Sequence, residues 1–386
     1  MRILHIGKYY SPFEGGIENF LAGFLKASSA DGIEHFVLAH HHLSGKKSVK
    51  ELRDETQLLR SFTLCKILFA PISPFFHRQL KEVIAEFKPD IIHVHMPNLS
   101  AFWLLLLGSS LSIPVIVHWH SDIVPSRKNP LLSIAYYFYE KMERRLLAKS
   151  SAIIATSKQY LDTSIPLSQW KEKCHVIPLG IDISNNISAS SNTKTIWPSH
   201  DKFKVLCIGR LTYYKGHHHL LKAINNLPQA QLILIGTGKL LKKYRRVIDK
   251  YKLQDRVLLN GHATQSQIET LLKSCDCLCL PSIERTEAFG LVLLEAMAEG
   301  KPCLCTSVTG SGMSWVVQDE KTGLVTHPEC SKSLENAINR LSTNTIWAER
   351  LGQAGKERLK RHFDIQVIAK KITTLYNDQS NPVEFE

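Results

Sequence analysis

The chain has 386 residues, 44% of them apolar and 22% charged, with nine cysteines and a net charge of +13. The length is too great for one ordinary core and suits two domains, and the composition is that of a globular protein with no low-complexity tract or internal repeat. The charge excess is spread as +5 over residues 1–185 and +8 over 186–386, so it draws the chain to polyanions (nucleotides, anionic lipid surfaces, nucleic acid) without choosing among them.

The first predicted strand, Arg2–Ile6, follows Met1 directly and is too short for a secretory signal core. His35–Ala39, Asp90–His95, Pro114–His118, Ala152–Thr156 and His175–Pro178 read as further strands. Helical patterns fall between them at Ile17–Ser29, Pro74–Phe87 and Leu131–Lys149. The longest apolar stretch, Ala101–Val117, holds Gly108, three serines and Pro114, and reads as a helix, a break and a strand, not a membrane span. Ser184–His200 has a linker composition, and residues 185–200 are taken as the linker. The pattern then restarts, with strands at Lys204–Ile208, Gln231–Ile235, Arg256–Leu259, Cys275–Leu280 and Lys301–Thr306. Strand and helix in alternation imply βαβ units and parallel sheets. The fold class is therefore α/β, with two doubly wound Rossmann-like halves facing a cleft, and ligands expected at the carboxyl ends of the strands. The last helix, Ile365–Asn377, is apolar on one face and needs a partner surface.

Nine cysteines are an odd set that suits a reducing cytoplasm. Cys275, Cys277 and Cys279 alternate along one strand and Cys303 and Cys305 along another, but no Cys or His pair completes a zinc pattern. His217–His219 open a helix, where consecutive side chains point to different faces, so they do not form a metal site.

The segment Glu287-Ala-Phe-Gly-Leu-Val-Leu-Leu-Glu295 sets two carboxylates eight positions apart. A helix starting near Gly290 puts Glu295 on its second turn and Glu287 at its N-terminal mouth, with Phe289, Gly290 and Leu291 forming the lip. Free backbone N–H groups and the helix dipole favour phosphate there. The alternative is an amphipathic helix that carries two acids. Gly209-Arg210-Leu211 and Lys215-Gly216 follow the first strand of the second half, where a guanidinium and an ammonium can neutralise a diphosphate. A solvated basic loop explains the same residues. Gly236 and Gly238 end the next strand and permit close backbone approach to a phosphate or base. In the first half, Glu14-Gly15-Gly16-Ile17-Glu18 opens a helix with backbone amides towards the cleft, or is an ordinary tight turn. His118 and His120 lie on one side of a strand end and Trp119 on the other; either His can bond a sugar hydroxyl or be buried. No D-x-D pair occurs, so a carboxylate-held Mg²⁺ or Mn²⁺ has no obvious ligands.

These motifs, in this order and spacing over most of the chain, resemble the retaining GT-B glycosyltransferases of the GT4 family. The resemblance implies a first domain of residues 1–184 plus 365–386, with the last helix returning to it, and a nucleotide-sugar domain of residues 201–364. It implies that Arg210 and Lys215 bind the donor diphosphate, that Glu287 touches the transferred sugar and that Glu295 holds the ribose. Gly16, beside Gly15, offers its amide to the phosphate, and His120 contacts the sugar near its 6-position. No fixed nucleophile is established for the class; a same-face substitution assisted by the leaving phosphate asks mainly for positioning and electrostatics. The expected donor is a UDP- or GDP-sugar with no metal or other cofactor, and the acceptor a glycan or lipid-linked saccharide. Leu58–Lys81 mixes aromatics and aliphatics with Arg60, Lys66, Arg78 and Lys81, and suits either an anionic bilayer at the cytoplasmic face of the inner membrane or a core helix and loop with solvated charges. The rival readings are a nucleotide-sugar 2-epimerase of the same fold and a non-catalytic polyanion or nucleic-acid binder. The second lacks a nucleic-acid module; Lys242-Lys243-Tyr244-Arg245-Arg246, its best feature, reads as a solvated helix face.

Overall fold

The computed structural model describes residues 1–13, 15–67, 70–107, 112–124, 130–184 and 196–380, with the backbone alone at 130–132. The chain divides into two compact units, Met1–Gly180 with Ile365–Glu386, and Ile181–Asp364. The expected linker core, 185–195, and Glu14 lie outside the described residues.

Unit 1 is built on strands β1 (Arg2–Ile6), β2 (Glu34–His40), β3 (Val49–Arg53), β4 (Thr56–Ser61), β7 (Ile91–Met96), β8 (Val115–Trp119), β9 (Ala152–Ala155) and β10 (Cys174–Val176). A separate hairpin pairs β5 (Cys65–Ile67) with β6 (Ala70–Ile72). The main sheet runs β10-β9-β8-β7-β1-β2-β4-β3, parallel except for the outer pair β3–β4. Helices α1 (Gly16–Ser29), α2 (Phe76–Phe87), α3 (Pro130–Lys149) and α4 (Lys158–Thr163) connect the strands. The central strands read as unbroken buried runs because helices cover parallel sheets on both faces.

Unit 2 carries β11 (Phe203–Ile208), β12 (Ala230–Ile235), β13 (Val257–Gly261), β14 (Cys277–Leu280), β15 (Cys303–Thr306) and β16 (Gly323–Thr326), in the order β13-β12-β11-β14-β15-β16 and all parallel. Its helices are α5 (His217–Asn225), α6 (Leu241–Lys250), α7 (Gln265–Ser274), α8 (Leu291–Ala298), α9 (Met313–Val316), α10 (Ser331–Thr343) and α11 (Thr345–His362). The strand order reverses between β11 and β14, so the loops leaving these two neighbours splay apart at their carboxyl ends. That is where a doubly wound sheet opens a crevice.

The last helix, α12 (Ile365–Ser380), belongs to unit 1 and packs on α1. Ile365, Ile368, Ile372 and Leu375 are its buried stripe. The unit boundary falls at Gly180, four residues before the expected 184, because Ile181 pairs with the far end of unit 2: its amide donates to the Phe363 carbonyl at 3.1 Å and it bridges Asp364. Among the described residues no helix is long and apolar enough to cross a membrane.

The helix and strand expected within Ala101–Val117 are the 3-10 helix Leu99–Leu107 and β8, and the residues 108–111 between them lie outside those described. One reading is corrected: Leu58–Lys81 is not a core helix and loop but most of β4, the β5–β6 hairpin and the start of α2; Leu68 and Phe69 lie outside the described residues.

Candidate active site

The loop after β11 brings Lys215 back over Gly209. A Cβ on Gly209 would lie 3.1 Å from Lys215 Cε and Nζ, so the bare glycine makes room for the lysine stem. Gly216, at φ +65, lets the loop close on the neighbouring strand end: a Cβ there would sit 2.0 Å from the Pro281 carbonyl oxygen. The Ile283 amide donates to the Tyr214 carbonyl at 2.7 Å and ties the two loops together. The result is an ion pair, Lys215 Nζ to Glu287 Oε2 at 2.5 Å, with the two side chains only 11% and 13% exposed. Burial opposes the Lys215 charge, but Glu287 and Tyr214 outweigh it and hold the ammonium above its ordinary range. Arg210 stands in solvent, its Nη2 3.2 Å from the Tyr214 hydroxyl. Lys215 and Glu287, expected to meet different parts of a donor, are thus brought together, with Arg210 at their rim.

Glu287 is held by the Ser282–Thr286 segment before it and by Ser311, which no sequence pattern marks. Ser282 donates to its carboxylate at 3.3 Å and Ser311 to its main-chain carbonyl at 2.5 Å. Its amide donates to the Glu284 carbonyl at 3.1 Å, which makes Glu284 a turn residue. Gly290, at φ +80, is the N-cap of α8, and its missing Cβ would otherwise strike Leu280 and Leu293 at 2.8 and 2.9 Å. Leu291 is the first helical residue, where backbone N–H groups lack intrahelical acceptors. Glu295 lies one turn further on. Burial of its carboxyl, and next the charge of Glu269, push its pKa up to about 7.

Three of the expected donor-side residues also make close contacts within the protein. A Cβ on Gly236 would sit 1.9 Å from the Gly209 oxygen, and one on Gly238 2.5 Å from the Leu211 oxygen, so the chain's own packing needs glycine at both positions. The Gly236 amide donates to the Gly261 carbonyl at 2.7 Å. The Phe289 ring centre lies 6.3 Å from that of Trp315 and 6.0 Å from that of Phe363.

In unit 1, Gly15 caps α1 and Gly16 is its first residue. Glu18 folds back over them: a Cβ on Gly15 would meet its Oε2 at 2.2 Å. A carboxylate thus already lies at this helix mouth.

His120 is not at a free strand end but in a buried array of imidazoles. Alternation does put His118 and His120 together, their rings 4.1 Å apart, while the Trp119 Nε1 donates to Asp122 at 2.8 Å on the other side. His5, His35, His93 and His95 join them from β1, β2 and β7, all fully or nearly fully buried. Four of the six form a chain whose direction is assigned by its far end. Ser28 gives its hydroxyl proton to the Phe24 carbonyl at 2.8 Å, so its oxygen accepts from His35 Nε2 at 2.8 Å. Each neutral imidazole has one donor and one acceptor. Hence His5 Nε2 donates to His35 Nδ1 at 3.1 Å, His95 Nε2 to His5 Nδ1 at 3.3 Å, and His120 Nε2 to His95 Nδ1 at 3.1 Å. The chain ends on His120 Nδ1, a buried lone pair without a partner. Burial holds all six imidazoles below their ordinary pKa, His35 at about 4 and His95 at about 3. The sequence signal was a His-x-His pair repeated at 93/95 and 118/120 on neighbouring strands.

Two triads within this array, His5-His93-His95 and His95-His118-His120, bring their ring nitrogens within 4.8 Å of one another, as metal ligands would be. The charges that bear on these rings are those of other imidazoles, without a carboxylate, so a divalent ion would bring uncompensated charge into a dry core. All nine cysteines are free thiols, and those on β14 and β15 are buried with raised pKa values.

Comparison with known proteins agrees with this architecture. A sucrose-phosphate synthase from Thermosynechococcus elongatus superposes with a TM-score of 0.79 at 23% identity, covering 98% of each chain. The Anabaena protein HepE, in complex with UDP, gives 0.75 at 20% identity over 98% of this chain and all of that one. The fold is GT-B, two Rossmann-like units of the glycosyltransferase kind. Residues 14–185 match the family described as Glycosyltransferase Family 4, and residues 191–358 the family Glycosyl transferases group 1. Among curated relatives, O-antigen chain mannosyltransferase C of Escherichia coli is 27% identical over 97% of this chain and 98% of its own. D-rhamnosyltransferase WbpZ of Pseudomonas aeruginosa is 29% identical over 94% and 92%. The chain belongs to the GT4-type glycosyltransferases.

Proposed function

We propose that this glycosyltransferase moves a hexosyl or deoxyhexosyl group, with retention of configuration and without a metal, from a UDP- or GDP-sugar to a hydroxyl of a glycan or lipid-linked acceptor. The setting is surface polysaccharide or lipopolysaccharide synthesis at the cytoplasmic face of the membrane. The activities for which the two bacterial relatives are named, mannosyl and D-rhamnosyl transfer, support the sugar range.

The observation that carries this reading is the Lys215–Glu287 pair beside Arg210, at the mouth of α8. The two cations answer a diphosphate that gains charge as it leaves, and the helix mouth adds N–H groups. Glu287 accepts from sugar hydroxyls and Glu295 from the ribose. The resemblance assigns the Gly16 amide and His120 to the same donor. Among these groups the leaving phosphate itself is the base for the acceptor hydroxyl.

A thermal-shift panel of UDP-, GDP-, ADP- and dTDP-sugars, with the free nucleotides as controls, tests the reading. A ligand at a hundred times its Kd stabilises by about 2.7 kcal/mol. A shift with one base supports the donor site; no shift with any overturns it.

A further inference from the structure

Three connections at one edge of unit 1 pack in sequence: the β5–β6 hairpin against the 3-10 helix Leu99–Leu107, and that helix against α3. The seam is aromatic. Phe102 meets Tyr139 edge-on with ring centres 4.9 Å apart, and Trp103 stacks on His77 of α2 at 5.2 Å. Each element nevertheless leaves large apolar side chains in water. Leu64, Ile67, Phe75, Leu106, Tyr137 and Phe138 are each at least half exposed. Several large apolar side chains left in water on elements that pack on one another mark an interaction site.

The surrounding charges identify the partner. Lys66 is exposed at the hairpin. On α3, Lys141, Arg144 and Arg145 are exposed, and Lys141 Nζ lies 4.4 Å above the Tyr137 ring. Glu140 answers Arg144 at 3.5 Å, and the other acid of the helix, Glu143, is buried. The exposed face therefore keeps a positive excess next to aromatic rings. Amphipathic rings sit at the headgroup level of a bilayer, and flanking lysines and arginines are drawn to anionic headgroups.

We infer that the β5–β6 hairpin, the 3-10 helix and α3 form a docking surface for an anionic lipid bilayer. This rests on the reading of the acceptor as lipid-linked, and it gives that acceptor's membrane a specific place on the protein. It extends the surface beyond Leu58–Lys81 to two elements distant in sequence.

The full chain is floated with vesicles of phosphatidylcholine alone and of phosphatidylcholine with about 30 mol% phosphatidylglycerol. It is expected to rise with the anionic vesicles, and to be released by about 0.5 M salt. Tyr137→Ser/Phe138→Ser is expected to lower partitioning by about tenfold or more, and Lys141→Glu/Arg145→Glu to abolish the anionic preference. Both variants should keep the donor thermal shift, which shows that they are folded. An absence of flotation, or variants that float like the parent, overturns the inference. So does light scattering that shows a dimer turned monomer by Tyr137→Ser/Phe138→Ser, because the surface is then an interface between two copies. Failure of the donor reading shows separately, as a missing nucleotide shift.

Discussion

Lys215 Nζ and Glu287 Oε2 stand 2.5 Å apart with little exposure, so each is the other's principal neutralising charge. Removal of one partner from a buried pair leaves the other uncompensated and costs about 3–5 kcal/mol. Lys215→Ala and Glu287→Ala are each expected to lower turnover more than about tenfold and also to lower stability by that order. The double variant should be less destabilised than the two singles added together, with a coupling of about 0.5–3 kcal/mol in a double-mutant cycle. Additive losses would show that the pair is not an energetic unit. Near-normal turnover in both singles would remove it from the site.

In the proposed function Glu295 accepts from the ribose hydroxyls and must be ionised to do so, while burial raises its carboxyl to about 7. Nucleotide affinity is therefore expected to rise with pH through about 7 and to level off above it. Calorimetric titration across that range checks this. Glu295→Gln should bind more weakly and flatten the profile; a variant with the parent's slope assigns the titration to another group.

Glu143 is 1% exposed, and burial, opposed by the hydrogen bond from Tyr136, lifts its pKa to about 8. Between its ordinary value of 4.5 and 8 the folded chain keeps a proton that the unfolded chain has lost, so stability falls as pH rises through that window. Glu143→Gln copies the neutral acid. Its melting temperature should match the parent near pH 4.5 and exceed it by a margin that grows up to about pH 8. A constant margin would contradict the titration.

The imidazole chain acts in the opposite sense. Its folded pKa values lie below the ordinary 6.5, so the unfolded chain takes up protons first as the solution acidifies. The stability they contribute is full above about 6.5 and is lost as pH falls towards 4. Nitrogen-resolved NMR of the ring protons should find His35, His5, His95 and His120 as Nε2–H tautomers at neutral pH. Ser28→Ala, which removes the acceptor that sets the direction, should mix the tautomers. Nδ1–H on His120 in the parent chain would overturn the assignment.

Strand alternation made much of this protein legible. The strands of the sheet centres are largely apolar, wholly buried runs, and the structure places β1 at the residues expected for it. The outer pair β3–β4 escaped because Val49–Arg53 is charged and its turn uses Asp54 and Glu55 at φ +47 and +65, where glycine or asparagine would have given a signal. β16 is four residues long and begins with a glycine. At the site, charge and spacing pointed to Lys215 and Glu287, but no local pattern says that they touch, since 72 residues separate them and adjacent parallel strands bring their loops together. Gly236 and Phe289 show that a motif carries more than one demand: each also packs against the protein itself, where close approach by backbone or core needs the same residue types.

The route of α12 bears on how the protein is made. Tyr376 lends its hydroxyl to His93 at 2.5 Å and its ring to Phe24, both of which precede the whole of unit 2 in the chain. Until those last turns leave the ribosome, α1 has no cover over that face, whereas the whole of unit 2 has already been translated. The inserted unit closes first and the first-born unit last. The nascent chain must carry an exposed apolar helix while unit 2 is translated, and a message cut short before α12 would release it in that state.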